Sequence, residues 1–176
     1  MENKLPTPPE KLFSILDELE IKTTTHEHEA VFSVEESDKV TARIEGGHTK
    51  NLFLKDKKDD YYLLIVGHHS KLKLNHMHKR IGAHKRVSFG SPEMLMELLG
   101  ITPGSVNAFT PINDKEGRVK VFIDLPLMNN THINAHPMTN TMTTTIAKEE
   151  LLRFLEYAKH TPQIMQLSES EEEQNA

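Results

Sequence analysis

Three short stretches of this chain place side chains or backbone groups where they can do chemistry. Thr49-Lys50-Asn51 sets a cation and an amide directly before the apolar run Leu52-Phe53-Leu54, behind the glycine pair Gly46-Gly47. A lysine rooted beside a buried strand keeps its stem on apolar surface, so its ammonium is a positioned cation. The same segment also reads as a strand flanked by ordinary surface lysines. Pro103-Gly104-Ser105-Val106 offers consecutive backbone N–H groups at a tight turn, suited to an anion or a developing oxyanion, or else a plain turn glycine. His136-Pro137 offers an imidazole or a carbonyl fixed by the proline after it, with a capped or surface histidine as the other reading.

Several familiar sites are excluded. There is no Gly-x-Ser-x-Gly elbow, no glycine-rich phosphate loop followed by Lys-Ser or Lys-Thr, and no His-Glu-x-x-His. The absence of cysteine removes disulfides, thiolate metal sites and a cysteine nucleophile together. Eleven histidines invite a metal, with His68-His69 and His76-x-His78 close in sequence. No carboxylate accompanies them at motif spacing, and residues two apart on a helix face different ways. Solvated basic histidines are the preferred account, and no metal is expected.

These groups must be carried by a fold of interspersed helices and short strands. Thr7-Pro8-Pro9-Glu10 reads as a capping box opening a helix on Leu12, Ile15, Leu16 and Leu19. Ile21–His28 reads as a strand. Ser33-Val34-Glu35-Glu36 is a second capping box, opening a short helix that ends near Gly46; Val31-Phe32 before it can form a hydrophobic staple, with Phe32 read first as core. Leu52–Lys55 and the nearly continuous apolar run Tyr61–Val66 read as strands joined by the turn Asp56–Asp60, the second central and covered on both faces. A helix over Asn75–Ile81 stops at Gly82, Arg86–Phe89 is a brief strand, and Ser91 caps a helix that Gly100 ends. Asn113–Gly117 reads as a hairpin connection before the strand Val119–Ile123. His132–Ala135 and Thr141–Ile146 read as strands and Glu149–Ala158 as a helix. The fold class expected is α+β: one domain over residues 1–167, with a mixed, curved, barrel-like sheet surrounded by helices. The acidic segment 168–176 is expected to be a disordered tail.

The net charge of −5 hides an uneven distribution. From His48 to Arg86 eight Lys and two Arg face three Asp, a local net of +7, with six histidines besides. Such a segment is a plausible phosphate-contacting face, or simply a solvated strand edge and helix. No apolar run is long enough to span a bilayer, and Met1–Pro6 lacks the features of a signal peptide, so a cytoplasmic protein is expected.

In order and wording, four stretches resemble one family: Gly47–Lys58, Thr102–Val106, Ile112–Gly117 and His136–Thr141. They are similar to the prolyl-tRNA editing proteins, the YbaK/ProX superfamily or prolyl-tRNA synthetase-associated domain. Within it the PrdX-like alanyl-tRNA(Pro) deacylases look most alike. The resemblance runs from about Pro6 to Leu167 and implies the YbaK fold and a free-standing trans-editing hydrolase without cofactor. Its substrate would be the acceptor end of tRNA(Pro) mischarged with a small amino acid, alanine first, with prolyl-tRNA synthetase a further candidate partner. The resemblance implies that Lys50 orients the acceptor end near its terminal phosphate, with Asn51 beside it. Gly104 and Ser105 would line the aminoacyl pocket and present backbone donors, and His136 would border the amino acid. Thr49, Val106, Phe32 and Asn140 complete the implied substrate-binding set. Lys55, Lys57, Lys58, Lys71, Lys73 and Arg80 are candidates for contact with the acceptor stem. In this family no side chain is a firmly established general base, and catalysis is thought to use the substrate's own ribose hydroxyl and a positioned water. Two alternatives stay open: deacylation of another mischarged tRNA (cysteine, serine or another small residue), and a non-catalytic tRNA- or synthetase-binding homologue. Met138 where the family often has leucine, the wording of Asn107–Pro111, and the histidines of 68–78 depart from the family pattern.

Overall fold

Apolar spacing seats the helices. In the computed structural model, which describes residues 4–175, Leu12 and Leu16 lie one turn apart and bury one face of α1 (Pro9–Glu18). Thr7 does not cap this helix. Its hydroxyl donates to Asn113 Oδ1 at 2.6 Å, and the Pro8 carbonyl takes the first helical N–H, from Leu12. The second cap forms as read: Ser33 Oγ accepts from Glu36 N at the start of α2 (Val34–Thr41), and Glu36 returns a carboxylate oxygen to Phe32 N. That helix buries none of its own residues. Phe32 is not core; it is 79% exposed, while Val31 beside it is buried.

The sheet is mixed, has eight strands and does not close. It runs β1 (Thr23–Glu27), β7 (Met142–Ala147), β6 (His132–Ala135), β2 (Gly47–Lys55), β3 (Tyr61–Gly67), β5 (Val119–Asp124) and β8 (Gln163–Met165), with β4 (Ser88–Phe89) paired to β2. β3 is buried from Tyr61 to Val66 because it is central. Alternate residues serve two cores. Tyr61, Leu63 and Ile65 join the larger one, with the buried faces of α1, α4 (Pro92–Leu99) and α5 (Lys148–Tyr157). Tyr62, Leu64 and Val66 join the smaller one, under Met77 and Ile81 of α3 (Leu74–Ile81). Among the described residues no helix is long and apolar enough to cross a membrane.

Two further readings are corrected. Asn113–Gly117 does not join a hairpin: β5 pairs parallel with both β3 and β8, and the Asp114 carboxylate takes the Arg118 and Val119 amides to start it. The C-terminal segment read as disordered is held at its start. Leu167 and Ser168 are buried and both donate their N–H to Asp124 Oδ1, and α6 (Glu171–Gln174) follows. The physical reason is β8, three residues too short and too exposed to be legible in sequence, which docks beside β5 and delivers Leu167 to the smaller core.

Candidate functional site

The site is organised by β2. Over Thr49–Lys55 one edge of that strand pairs with β3. The other edge pairs with β6 only at Gly47 and His48, and with β4 only at Leu54 and Lys55. Between those contacts no strand covers the edge around Asn51 among the described residues. Gly46 makes the entry possible: its φ of +114° and the His132 carbonyl 3.0 Å from where a Cβ would stand leave room only for glycine.

Against the face of β2 that carries Asn51 comes the turn Pro103–Ser105. Asn51 Nδ2 donates to the Val106 carbonyl at 3.4 Å, and Asn51 Oδ1 is buried with no hydrogen-bond partner among the described residues. Ser105 N–H is already committed to the Thr102 carbonyl, so the turn does not present a run of unpaired amides; that of Gly104 is the candidate donor. A Cβ on Gly104 would lie 3.8 Å from Asn140 Nδ2 and 4.0 Å from Phe32. Gly104, Asn140 and Phe32 therefore stand side by side. Asn140 Nδ2 also donates to the Val31 carbonyl, tying the 136–140 loop to the chain entering α2.

His136 opens that loop. Its Nδ1 is 2.9 Å from the Met142 carbonyl, which can only accept, so the proton sits on Nδ1 and Nε2 keeps its lone pair. Burial lowers its pKa, the Met142 bond opposing, and His28 with a ring 6.2 Å away adds to the lowering. At neutral pH the ring is uncharged. His136 and Thr49 share the wall of a cavity of about 20 Å³, roofed by Ser37 and Thr41 of α2. That is room for about one water. Thr49 Oγ1 is oriented by donating to the Asn134 carbonyl at 2.7 Å.

Lys50 is placed differently. The pleat puts it on the face of Val66 and Leu64, opposite Thr49 and Asn51, and its ammonium donates to the Ser70 carbonyl at 2.7 Å. Partial burial lowers its pKa. The structure thus brings Thr49 to His136, Asn51 to Val106, and Gly104 to Phe32 and Asn140, but leaves Lys50 on the reverse of the strand.

The basic candidates also divide. Lys57, Lys58 and Lys71 are exposed, whereas Lys73 pairs with Glu169 at 3.0 Å, Arg80 with Glu173 at 3.2 Å and Lys55 with Asp59 at 3.8 Å. The C-terminal carboxylates lie on part of the basic face. One buried asparagine, Asn134, escaped the sequence reading, and Asn107 was singled out only within the atypical stretch Asn107–Pro111. Asn134 binds Glu45, Thr49 and Thr145, and Asn107 joins the Ser105 carbonyl to Phe109 N and Met138 Sδ. Their signal was a lone amide within buried surroundings, and Asn107 proves to be scaffold. Met138, buried at φ +64°, turns the loop after Pro137.

The profile of the aminoacyl-tRNA editing domain matches residues 28–154. The prolyl-tRNA synthetase associated domain-containing protein 1 of Danio rerio is 40% identical over 157 residues, 88% of this chain and 85% of that protein. The prolyl-tRNA editing protein ProX of Acetoanaerobium sticklandii is 32% identical over 153 residues, 86% of this chain and 93% of that protein. Among solved structures, one proposed to be a trans-editing enzyme for prolyl-tRNA synthetase superposes with a TM-score of 0.69 at 21% identity, covering 93% of this chain and 98% of the other. At that identity it speaks to the fold.

Proposed function

Since the chain belongs to the aminoacyl-tRNA editing domain family, we propose that it hydrolyses, in trans and in the cytoplasm, the ester of mischarged tRNA(Pro), alanyl-tRNA(Pro) first. The observation that supports this reading is the meeting of the segments around Asn51, Gly104 and Asn140 beside a stretch of β2 that is paired on one edge alone among the described residues.

An aminoacyl ester is already activated, so positioning and oxyanion stabilisation can replace a nucleophilic side chain. Gly104 N–H is assigned to the ester carbonyl oxygen. Asn51 Oδ1, a buried acceptor lacking a donor, is assigned to a substrate hydroxyl or ammonium. The water-sized space beside Thr49 and His136 suits the hydrolytic water, with neutral His136 as acceptor. Lys50, on the opposite face of β2, is assigned to the terminal phosphate of an acceptor end that passes the strand's edge to that face, where its ammonium would leave the Ser70 carbonyl. Selectivity follows from size. A synthetase pocket built for proline gains only about 1–3 kcal/mol against alanine, and a second, smaller hollow at Gly104 hydrolyses the error while sparing prolyl-tRNA.

The test is hydrolysis of alanyl- against prolyl-tRNA(Pro) by the purified protein, extended to tRNAs charged with serine or cysteine. Loss of the alanyl ester alone is expected, and Lys50→Ala should slow it sharply. Equal loss of both esters would refute the selectivity argument. Bound tRNA whose ester survives for hours would make the protein a binding module.

A further inference from the structure

The end of β3 and the middle of α2 bring together two imidazoles and a carboxylate that ester hydrolysis does not use. Asp38 Oδ1 lies 3.0 Å from His69 Nε2 and 3.4 Å from His68 Nε2. One ligand atom from each of the three residues falls within 4.8 Å of the other two. In sequence the histidine pair has no carboxylate nearby; α2, far up the chain, supplies it. The His68 side chain is only 10% exposed, and its Nε2 has no hydrogen-bond partner among the described residues. A buried ring nitrogen left unpaired beside a carboxylate needs an explanation. A tetrahedral ion with bonds of about 2.0–2.1 Å holds its ligand atoms about 3.3–3.4 Å apart, close to the two separations seen here.

The geometry points to a site for one divalent first-row transition ion of the zinc, nickel or cobalt type, held by Asp38, His68 and His69 and open to solvent beside His69. Two imidazoles select against magnesium and calcium, which take oxygen ligands. The other histidines near this end of the sheet are engaged elsewhere: His48 with the Ile44 carbonyl and His136 with that of Met142. Because α2 buries none of its residues, the ion would add to the bond between His68 and the Val34 backbone a second tie to the end of β3. It would fix the helix whose Ser37 and Thr41 roof the cavity beside His136.

The test is titration of the untagged, metal-stripped full chain with cobalt(II), followed by its visible absorption, and with zinc by calorimetry. One equivalent should bind with micromolar affinity. Asp38→Asn and His69→Ala should each weaken binding by at least about tenfold, while His76→Ala leaves it unchanged. Both probe side chains are partly exposed, at 44% and 70%, so these variants keep their fold, which an unchanged unfolding midpoint without metal would verify. Zinc should raise the midpoint of the wild type and not of Asp38→Asn. No saturable binding, or equal affinity in the wild type and both variants, overturns the proposal. Ester hydrolysis is not the readout, so the site stands or falls apart from the editing reaction.

Discussion

Asp56 closes the β2–β3 hairpin, and its replacement by asparagine should have a cost that depends on pH in a calculable way. The carboxylate is buried in the turn. Oδ1 accepts from Lys58 N at 2.9 Å and Asp60 N at 3.0 Å; Oδ2 accepts from Tyr62 OH at 2.8 Å and His84 N at 2.9 Å. Burial alone would raise its pKa, but these four donors outweigh burial and hold it at about 2, against an ordinary 3.8. Because the folded value is the lower one, the stabilisation is complete above the unfolded pKa and is lost as pH falls through the folded one. A gap of about 1.8 pH units corresponds to about 2.4 kcal/mol, trimmed to roughly 2 by screening at a surface turn. In Asp56→Asn the amide nitrogen replaces one oxygen and meets two of the four donors, at least cost Tyr62 and His84. The Tyr62 hydroxyl can turn and accept, but the His84 N–H cannot, so about 1 kcal/mol more is lost at neutral pH. Urea unfolding of both proteins between about pH 7 and about pH 2 measures this. Wild type should be more stable by about 3 kcal/mol at neutral pH, and the gap should shrink by about 2 kcal/mol at the acid end. Parallel stability profiles would refute the assignment of the low pKa to these four bonds.

Other outcomes follow from the same geometry. Gly104→Ala should leave the unfolding midpoint nearly unchanged, since a Cβ there meets only ordinary contacts at 3.8 and 4.0 Å, yet cut alanyl-tRNA(Pro) hydrolysis about tenfold or more by filling the hollow. Unchanged turnover would remove that hollow from the reaction. Deleting residues 170–176 should cost at most about 1 kcal/mol, the scale of exposed ion pairs, and strengthen tRNA binding at low salt by releasing Arg80 from Glu173. Deleting 166–176 should cost about 2–3 kcal/mol more in urea unfolding, because Leu167 is buried and Asp124 loses two donors. NMR titration should place His136 below 6.5 and His160 above it: burial dominates at His136, whereas at His160 the Asp114 carboxylate 2.8 Å away overcomes burial. The stabilisation by that second pair is therefore complete below 6.5 and lost as pH rises through the folded value.

Local chemistry determined much of this protein. The Ser33 and Ser91 caps, the glycine stops after α3 and α4, the twice-covered β3 and the turn at Asp56 all rest on contacts within a few residues or on apolar periodicity, which a sequence displays directly. The motif segments were legible as well, because their order survives in the chain. What the tertiary structure decided was every relation between distant segments. The pairing of β2 with three different strands left its edge bare at Asn51, and the pleat turned Lys50 away from Asn51. A parallel β8 drew the acidic end onto Lys73 and Arg80, and α2 laid Asp38 against His68 and His69. A residue's neighbours along the chain fix its backbone preference, but which face it presents and what it meets there depend on strand order and register, which are properties of the folded whole.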